Sequence, residues 1–324
     1  MTTTSRTVTL IEGDGVGPQV ASVVRDVVRA LGADITWDIQ DGHDVDSAVA
    51  SIKANGIGLK AKVQARALAR QTPYTVRFRR QLGIELFERH VHNLRGLPAR
   101  AQGIDIMVIR EATEDIYAGF EHVVTPGVYE SIKVTTRAAC ERVHRHAFEW
   151  ARANGRKRVT TVHKANIMKK ADGMFLAVGN TMAAEYPDLV HDDVIVDALC
   201  MQLVRRPHTF DVLVCGNLFG DIVSDCAAGM AGGLAVATAI GRGPGVTLFE
   251  NTHSTTVDVV GEDGANPYPF LGLACDLLKH IGEAEKAARL RFACEEALVA
   301  GLLPQDCGGT TPCSVIHGFV VERI

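Results

Sequence analysis

Two aspartates four residues apart, Asp221 and Asp225, have the clearest chemical potential in the sequence. On a helix this spacing places both carboxylates on one face, where they repel each other unless a cation lies between them. Such oxygen ligands suit hard cations such as Mg²⁺ or Mn²⁺. The apolar run 210–216 before them is typical of a strand, and α/β proteins bind ligands at the carboxyl ends of strands. From the spacing alone, a solvated acidic helix face is an equal alternative.

The composition is that of a globular protein with one large or two moderate domains, with 324 residues, 47% hydrophobic and 22% charged. A net charge of −4 gives no indication of nucleic acid or an anionic membrane as a partner. The first residues lack a signal-peptide pattern, and no apolar run is long enough to span a bilayer. The eight cysteines form no CxxC motif. We therefore expect a cytoplasmic protein with reduced thiols.

Strand-like and helix-like segments alternate along the chain. The sequence predicts strands at 7–11, 104–109, 158–162 and 193–196, and helices at 18–30, 135–153 and 314–323. This alternation is typical of an α/β fold with helices on both faces of a sheet. The glycine cluster at 13–17 has GxGxG spacing rather than the GxGxxG of a Rossmann fold. A tight turn between a strand and a helix is therefore the better interpretation.

Several segments, in order along the chain, resemble motifs of the β-decarboxylating dehydrogenases, the isocitrate/isopropylmalate dehydrogenase family. They are IEGDGVGP at 11–18, IREATEDIYAG at 109–119, VHKANIMK at 162–169, NLFGDIVSD at 217–225 and DCGGTT at 306–311. The resemblance runs from end to end and is strongest to NAD-type isocitrate dehydrogenases. It implies an α/β, two-domain, non-Rossmann fold with a discontinuous large domain. We expect residues 1–98 and 232–324 to form the large, cofactor-binding domain, and 99–231 the small domain with the metal site and dimer interface.

The resemblance also implies a catalytic group that is shared between the two chains of a homodimer. Tyr117 and Lys164 match the family's catalytic pair. Lys164 of the neighbouring chain would help to take the proton of the substrate's C2 hydroxyl, and Tyr117 would protonate the carbon that loses CO₂. Asp221 and Asp225, together with Asp197 from the partner, would hold Mg²⁺ or Mn²⁺, and Asp197 also counts among the catalytic residues.

Substrate recognition is implied for three arginines, Arg79, Arg89 and Arg110, which would grip the malate part because guanidinium forks bind carboxylates bidentately. Thr75 falls, in gap-free register, on a position that contacts the third carboxylate of isocitrate. The surrounding loop, 64–77, departs from the isocitrate pattern and carries Arg66, Arg70 and Arg77. These arginines favour an anionic substituent, as in isocitrate or phosphonomethylmalate, whereas a solvated helix face is the alternative.

The segment 253–267 resembles the family's adenosine-binding loop. By resemblance, the residues expected to bind the dinucleotide are Asn166, His253, Asp258, Val259 and Asn266. Asp258 can accept hydrogen bonds from a ribose 2′-hydroxyl and would repel a 2′-phosphate, which predicts NAD rather than NADP.

The sequence therefore predicts an NAD- and metal-dependent oxidative decarboxylase of a C3-substituted malate. Two alternatives remain: an ordinary isocitrate, homoisocitrate or isopropylmalate dehydrogenase, or a regulatory subunit without activity. Retention of the tyrosine, the lysine and the three aspartates argues against a regulatory subunit.

Overall fold

The protein divides into two compact units. The structure is a computed structural model that describes residues 6–63, 74–251, 261 and 263–324. The large unit comprises the described residues within Met1–Ile84, Asn93–Arg100 and Ala231–Ile324, and the small unit comprises Glu85–His92 and Ala101–Met230. The predicted boundaries differ from this division mainly at Glu85–His92. That segment lies in the small unit because it pairs antiparallel with the strand Asp105–Glu111.

Strands and helices alternate as the sequence predicts, and the α/β fold class is confirmed. The strands are β1 (Arg6–Ile11), β2 (Ile35–Gln40), β3 (Ile57–Lys60), β4 (Leu86–His92), β5 (Asp105–Glu111), β6 (Glu121–Thr125), β7 (Val128–Ser131), β8 (Arg158–His163), β9 (Val190–Ile195), β10 (Val212–Cys215), β11 (Thr238–Gly243) and β12 (Val246–Asn251). The helices are α1 (Gly17–Ala30), α2 (Val45–Asn55), α3 (Tyr74–Leu82), α4 (Arg137–Ala153), α5 (Ala171–Ala183), α6 (Val196–Arg205), α7 (Asn217–Ala231), α8 (Tyr268–His280), α9 (Ala284–Val299) and α10 (Cys313–Val321).

Most predicted elements agree with the structure to within one or two residues. The exception is the strand predicted at 193–196, because β9 begins earlier, at Val190, and Val196 already starts α6. The glycine cluster at 13–17 forms the turn that was predicted. Gly13 has φ +71°, and a Cβ there would lie 2.2 Å from the carbonyl oxygen of Lys62. Glycine is therefore required by both backbone conformation and space.

The large unit is built on a sheet with strand order β2-β1-β3-β12-β11. Strand β1 pairs in parallel with β2 and β3, β3 pairs in parallel with β12, and β11 runs antiparallel to β12. The residues of β3 and β12 are buried throughout, as expected for strands covered on both faces. Helix α1 begins with proline in its first turn, where the missing N–H costs nothing.

In the small unit the strand order is β4-β5-β10-β8-β9. The register pairs Cys215 of β10 with Arg110 of β5 and with Val162 of β8, and these strands are parallel. Their carboxyl ends therefore meet at the same edge of the sheet. The segments that carry Tyr117, Lys164 and helix α7 all begin there, and a buried apolar core of α4, α5 and the strands supports this edge.

A separate two-stranded ribbon, β6 paired with β7, belongs to the small unit, and its residues are exposed along both strands. Within the described residues, no helix combines the length and apolar character that crossing a membrane requires.

Candidate active site

Two buried arginines meet the two aspartates of α7. Arg110 forms a charged hydrogen bond with Asp221 through Nη1, and Arg89 donates from Nη2 to Asp225 Oδ1 at 2.5 Å. The arginine side chains are 5% and 2% exposed, whereas those of Asp221 and Asp225 are 38% and 40% exposed. Arg89 also donates to Ser224 Oγ at 2.5 Å. The structure thus brings together four of the predicted residues. The two guanidinium groups are buried, and the two carboxylates are partly exposed.

Tyr117 joins this group through the same carboxylate. Its hydroxyl donates to Asp221 Oδ2 at 2.5 Å, and the Arg110 guanidinium lies 5.2 Å from the centre of its ring. Burial and the hydrogen bond to Asp221 raise the pKa of Tyr117 to about 12. The phenol therefore stays protonated at neutral pH and can act as a proton donor.

Helix α7 is shaped to accept Arg110. The side-chain oxygen of Asn217 accepts from Arg110 Nε at 3.0 Å and from Nη2 at 2.7 Å, and its amide donates to the carbonyl oxygen of Glu114 at 3.1 Å. One turn later, a Cβ on Gly220 would lie 2.6 Å from Arg110 Cγ. The arginine can therefore lie along the helix only because residue 220 has no side chain.

Lys164 and Asp197 form a second group within the small unit. The Lys164 ammonium donates to Asp197 Oδ1, and this bond lowers the pKa of the Asp197 carboxyl. Asp197 is 69% exposed at the side chain, and Lys164 is 27% exposed. Ahead of Lys164, the ring of His163 is held between the backbone N–H of Ala165, at 3.0 Å, and Asp193 Oδ2, at 2.9 Å. The lysine is therefore presented at the surface from a well-anchored segment.

Helix α7 offers a divalent cation two carboxylates, which Arg110, Tyr117 and Arg89 engage in this structure. Asp221 and Asp225 lie one turn apart with partly exposed hard oxygen ligands, and Mg²⁺ is commonly held by one or two carboxylates together with the substrate. Within the described residues of one chain, no three His, Cys, Asp or Glu side chains are grouped to hold a metal. Asp197 therefore does not join Asp221 and Asp225 within a single chain.

Arg79 and Thr75 lie in the large unit, on one face of α3. Arg79 donates to Glu250 Oε1 at 2.8 Å, and Lys60 Nζ lies 3.6 Å from Glu250 Oε2. Burial would raise the pKa of the Glu250 carboxyl, but the charges of Arg79 and Lys60 keep it below its usual value. Of the loop arginines, Arg77 is exposed on α3, and Arg66 and Arg70 lie outside the described residues.

Asn266 lies in the large unit, where it lines a pocket together with Asn251 and Asp306. Its side-chain amide donates to Asp306 Oδ1 at 3.0 Å. The side-chain oxygen of Asn251, which also lines the pocket, is buried and has no hydrogen-bond partner in the part of the chain that is described. A buried oxygen without a described partner, beside a pocket, fits a ligand with hydrogen-bond donors, such as a nucleotide.

Of the other four residues expected at the cofactor, the structure describes only Asn166. Asn166 is exposed in the small unit, two residues after Lys164. His253, Asp258 and Val259 lie outside the described residues. The structure therefore places one of the five at this pocket.

Sequence reasoning missed several polar residues that hold the site. They are Ser224 and Asn217, which orient the arginines, and Asp115, Lys133 and Asp172, which anchor the segments around Tyr117 and Lys164. Asn217 and Ser224 lie within the family motif at 217–225, and this position is the sequence signal that could have identified them. Nothing local in the sequence indicates that Lys133 meets two aspartates.

Comparisons with known proteins identify the family of the chain. The family model described as isocitrate/isopropylmalate dehydrogenase matches residues 7–319. The chain is 39% identical over 329 residues to the mitochondrial isocitrate dehydrogenase (NAD) regulatory subunit 1 of Arabidopsis thaliana, covering 98% of this chain and 90% of that protein. It is 38% identical over 330 residues to the probable mitochondrial isocitrate dehydrogenase (NAD) subunit alpha of Caenorhabditis elegans, covering 98% and 92%. The crystal structure of isocitrate dehydrogenase from Methylococcus capsulatus superposes with a TM-score of 0.91 at 36% identity, covering 98% of this chain and 99% of that one. The chain therefore belongs to the isocitrate/isopropylmalate dehydrogenase family.

Proposed function

We propose that the protein is an NAD-dependent dehydrogenase that oxidatively decarboxylates a 3-carboxy-2-hydroxy acid, with Mg²⁺ or Mn²⁺ as its metal. The observation that carries the proposal is the convergence of Arg89, Arg110, Tyr117 and two α7 carboxylates at one sheet edge. Two guanidiniums suit the carboxylates of a malate core, and the protonated phenol suits a carbon that must gain a proton. Family membership supports the same reaction class.

Each side chain then has a defined task. Arg89 and Arg110 orient the substrate's carboxylates, and Tyr117 delivers a proton to the carbon that loses CO₂. Lys164 accepts the proton of the C2 hydroxyl, and Asp197 holds its ammonium in place. A cation bound by Asp221 and Asp225 would polarise the C2 oxygen. NAD would bind at the Asn266 pocket and to the 253–259 segment. The names of the relatives, which include NAD, also suggest this cofactor.

The site is proposed to be completed by a second copy of the chain. Asp197 is exposed and Lys164 is partly exposed, and Asp197 does not reach the α7 carboxylates in its own chain. The ribbon β6–β7 exposes large apolar side chains, including Val123 at 60% and Tyr129 at 68%. Apolar patches of this kind mark association surfaces. A homodimer would cover the ribbon and bring Lys164 of one protomer to Tyr117 of the other.

For the substrate, we propose an anionic C3 substituent, as in isocitrate or phosphonomethylmalate, on the basis of the arginine-rich loop. The test is formation of NADH by the purified protein with isocitrate, homoisocitrate, isopropylmalate, tartrate and phosphonomethylmalate, in parallel with NADP. Chelation should abolish turnover, and Mg²⁺ or Mn²⁺ should restore it. Turnover that persists in chelated, dialysed protein would contradict the metal assignment.

A regulatory subunit is the second candidate, because a relative of that description is 39% identical. The two candidates differ in one result. A catalytic subunit turns over at least one acid of the panel, whereas a regulatory subunit turns over none and instead changes the rate of a catalytic partner. The variant Tyr117→Phe is the matched control, because it should lose activity while it removes only one hydroxyl.

A further inference from the structure

Lys133 lies between two buried aspartates behind the candidate active site. Its Nζ is 3.0 Å from Asp115 Oδ2 and 3.4 Å from Asp172 Oδ1. The two carboxyl side chains are 3% and 5% exposed, and that of Lys133 is 20% exposed. The three side chains line a small cavity of about 20 Å³ in the small unit, and the ammonium also lies 5.3 Å from the centre of the Phe219 ring. Lys133 thus neutralises two like charges that are largely withdrawn from water.

Asp115 connects this lysine to Tyr117 and to helix α7. Its Oδ1 accepts from the N–H of Ile116 at 2.8 Å, at the start of the short helical turn that carries Tyr117. Its Oδ2 accepts from the N–H of Leu218 at 3.1 Å, in the first turn of α7. Asp115 has φ +72°, the only positive value for a non-glycine among the described residues. Such a strained backbone persists only where surrounding contacts enforce it, and it often occurs next to active sites.

Asp172 connects the same lysine to the second catalytic group. Its Oδ2 accepts from the backbone N–H of Lys164 at 2.7 Å, while its Oδ1 faces Lys133. One ammonium therefore bridges the carboxylate behind Tyr117 and the carboxylate behind Lys164. The proposed reaction assigns no task to Lys133.

We propose that Lys133 is a positioning residue that sets the Tyr117 turn and the Lys164 segment in their reactive places through Asp115 and Asp172. The proposal rests on the proposed function for its catalytic consequence. Without the ammonium, two buried carboxylates would lie near each other with no countercharge between them, which is unfavourable. Their aspartates would then turn or take up water, and the backbone N–H groups of Ile116, Leu218 and Lys164 would lose partners.

The experiment compares wild type with Lys133→Met, Lys133→Arg and the matched control Lys157→Met, which changes an exposed lysine of the same unit. Two quantities are measured: steady-state kinetics with the best acid of the panel, and amide hydrogen exchange of peptides that cover 115–119, 163–168 and 217–219. We expect kcat to fall about 10- to 100-fold in Lys133→Met, the usual effect of losing an outer supporting contact. KM should change less than about threefold, since Arg89 and Arg110 are untouched. Lys133→Arg should recover most of kcat, because arginine keeps the charge.

Hydrogen exchange makes the test independent of turnover. In Lys133→Met, exchange should accelerate in the three peptides and remain as in wild type in β5 and α4. If Lys133→Met does not fold, Lys133→Met/Asp172→Asn removes one charge of each sign and should show the same local acceleration. Unchanged exchange and kcat in the folded variant, or acceleration spread evenly over the small unit, would overturn the proposal. Absence of turnover in wild type would count against the proposed function alone.

Discussion

At the scale of single residues, Asp221 organises two functional groups at once. One of its oxygens pairs with Arg110, and the other accepts from the Tyr117 hydroxyl at 2.5 Å. In the proposed reaction, the arginine would thereby be held for a substrate carboxylate, while the phenol is held protonated. A single carboxylate would then couple recognition of the substrate to delivery of the proton.

The raised pKa of Tyr117 leads to a test by titration and kinetics. The folded-state pKa of Tyr117 is about 12, whereas the ordinary value for tyrosine is 10. The phenol should therefore lose its proton near pH 12 rather than near pH 10. The ultraviolet difference spectrum of wild type minus Tyr117→Phe should show no phenolate below about pH 11. Tyr117→Phe should also lower kcat roughly 10²- to 10⁴-fold. A phenolate signal centred near pH 10 would show that Asp221 and burial do not protect the hydroxyl.

At the scale of elements, helix α7 and strand β5 approach so closely that residue 220 must be small. A Cβ at Gly220 would meet Arg110 Cγ at 2.6 Å and Cβ at 2.8 Å, whereas a Cβ at Gly229 of the same helix would meet no described atom within 4 Å. The two glycines thus differ in packing while sharing one helix. They provide a matched pair of substitutions.

Gly220→Ala should displace Arg110 and lower kcat/KM by about 10- to 150-fold, the value of a charge-assisted contact of about 1.5–3 kcal/mol. Gly229→Ala should leave kcat/KM near wild type and raise helix stability by up to about 1 kcal/mol. Kinetics and thermal melting of both variants are the measurements. Equal kinetics in the two variants would mean that Arg110 does not act from the position seen in the structure.

A second element-scale feature is the contact between α4 and β8, where His144 is fully buried. Its Nδ1 donates to the carbonyl oxygen of Cys140 at 2.8 Å, and its Nε2 accepts from the Thr161 hydroxyl at 3.2 Å. Burial lowers the pKa of His144 to about 4. The imidazole is therefore neutral in the folded small unit.

This neutral histidine predicts a loss of stability in acid. Its folded-state pKa of about 4 is below the ordinary 6.5, so its contribution is complete above pH 6.5 and is lost as pH falls towards 4. The difference corresponds to about 3 kcal/mol of unfolding free energy. Urea unfolding at pH 7 and pH 4.5 can be followed by Trp150 of α4 in a Trp37→Phe background, since the chain has two tryptophans. His144→Gln should lose less stability on acidification, and the exposed control His208→Gln should behave like wild type.

At the scale of the whole molecule, the proposed site consists of two halves on different protomers. One half contains Arg89, Arg110 and Tyr117 with the α7 carboxylates, and the other contains Lys164 and Asp197. Each half is already joined by hydrogen bonds within its own chain. Association would therefore assemble a site from parts that are already formed.

A complementation assay tests this arrangement. Tyr117→Phe and Lys164→Met dimers should each be strongly impaired. After exchange of protomers, about half of the dimers are mixed, and each mixed dimer has one site with both residues intact. Activity should therefore recover to about a quarter of wild type. Mass spectrometry of the intact dimers verifies exchange. No recovery in a sample that contains mixed dimers would place both residues in the site of a single protomer.

The sequence by itself determined the order of strands and helices, the turn at 13–17 and the shared face of Asp221 and Asp225. These features depend on local periodicity and on residues a few positions apart, and such spacing can be read directly. The resemblance to the family motifs also singled out Tyr117, Arg89 and Arg110, because each aligns with a motif position.

Only the tertiary structure decided which partners these residues have. Arg89 meets Asp225 across 136 positions, Arg79 meets Glu250 across 171, and Lys133 bridges two aspartates from separate segments. The strand at 85–92 likewise joined the small unit through its pairing with β5. Such contacts depend on the order in which distant strands assemble into a sheet and on which charges share a buried space. Neither leaves a local pattern in the sequence, because a charged residue has the same appearance whether water or another segment neutralises it.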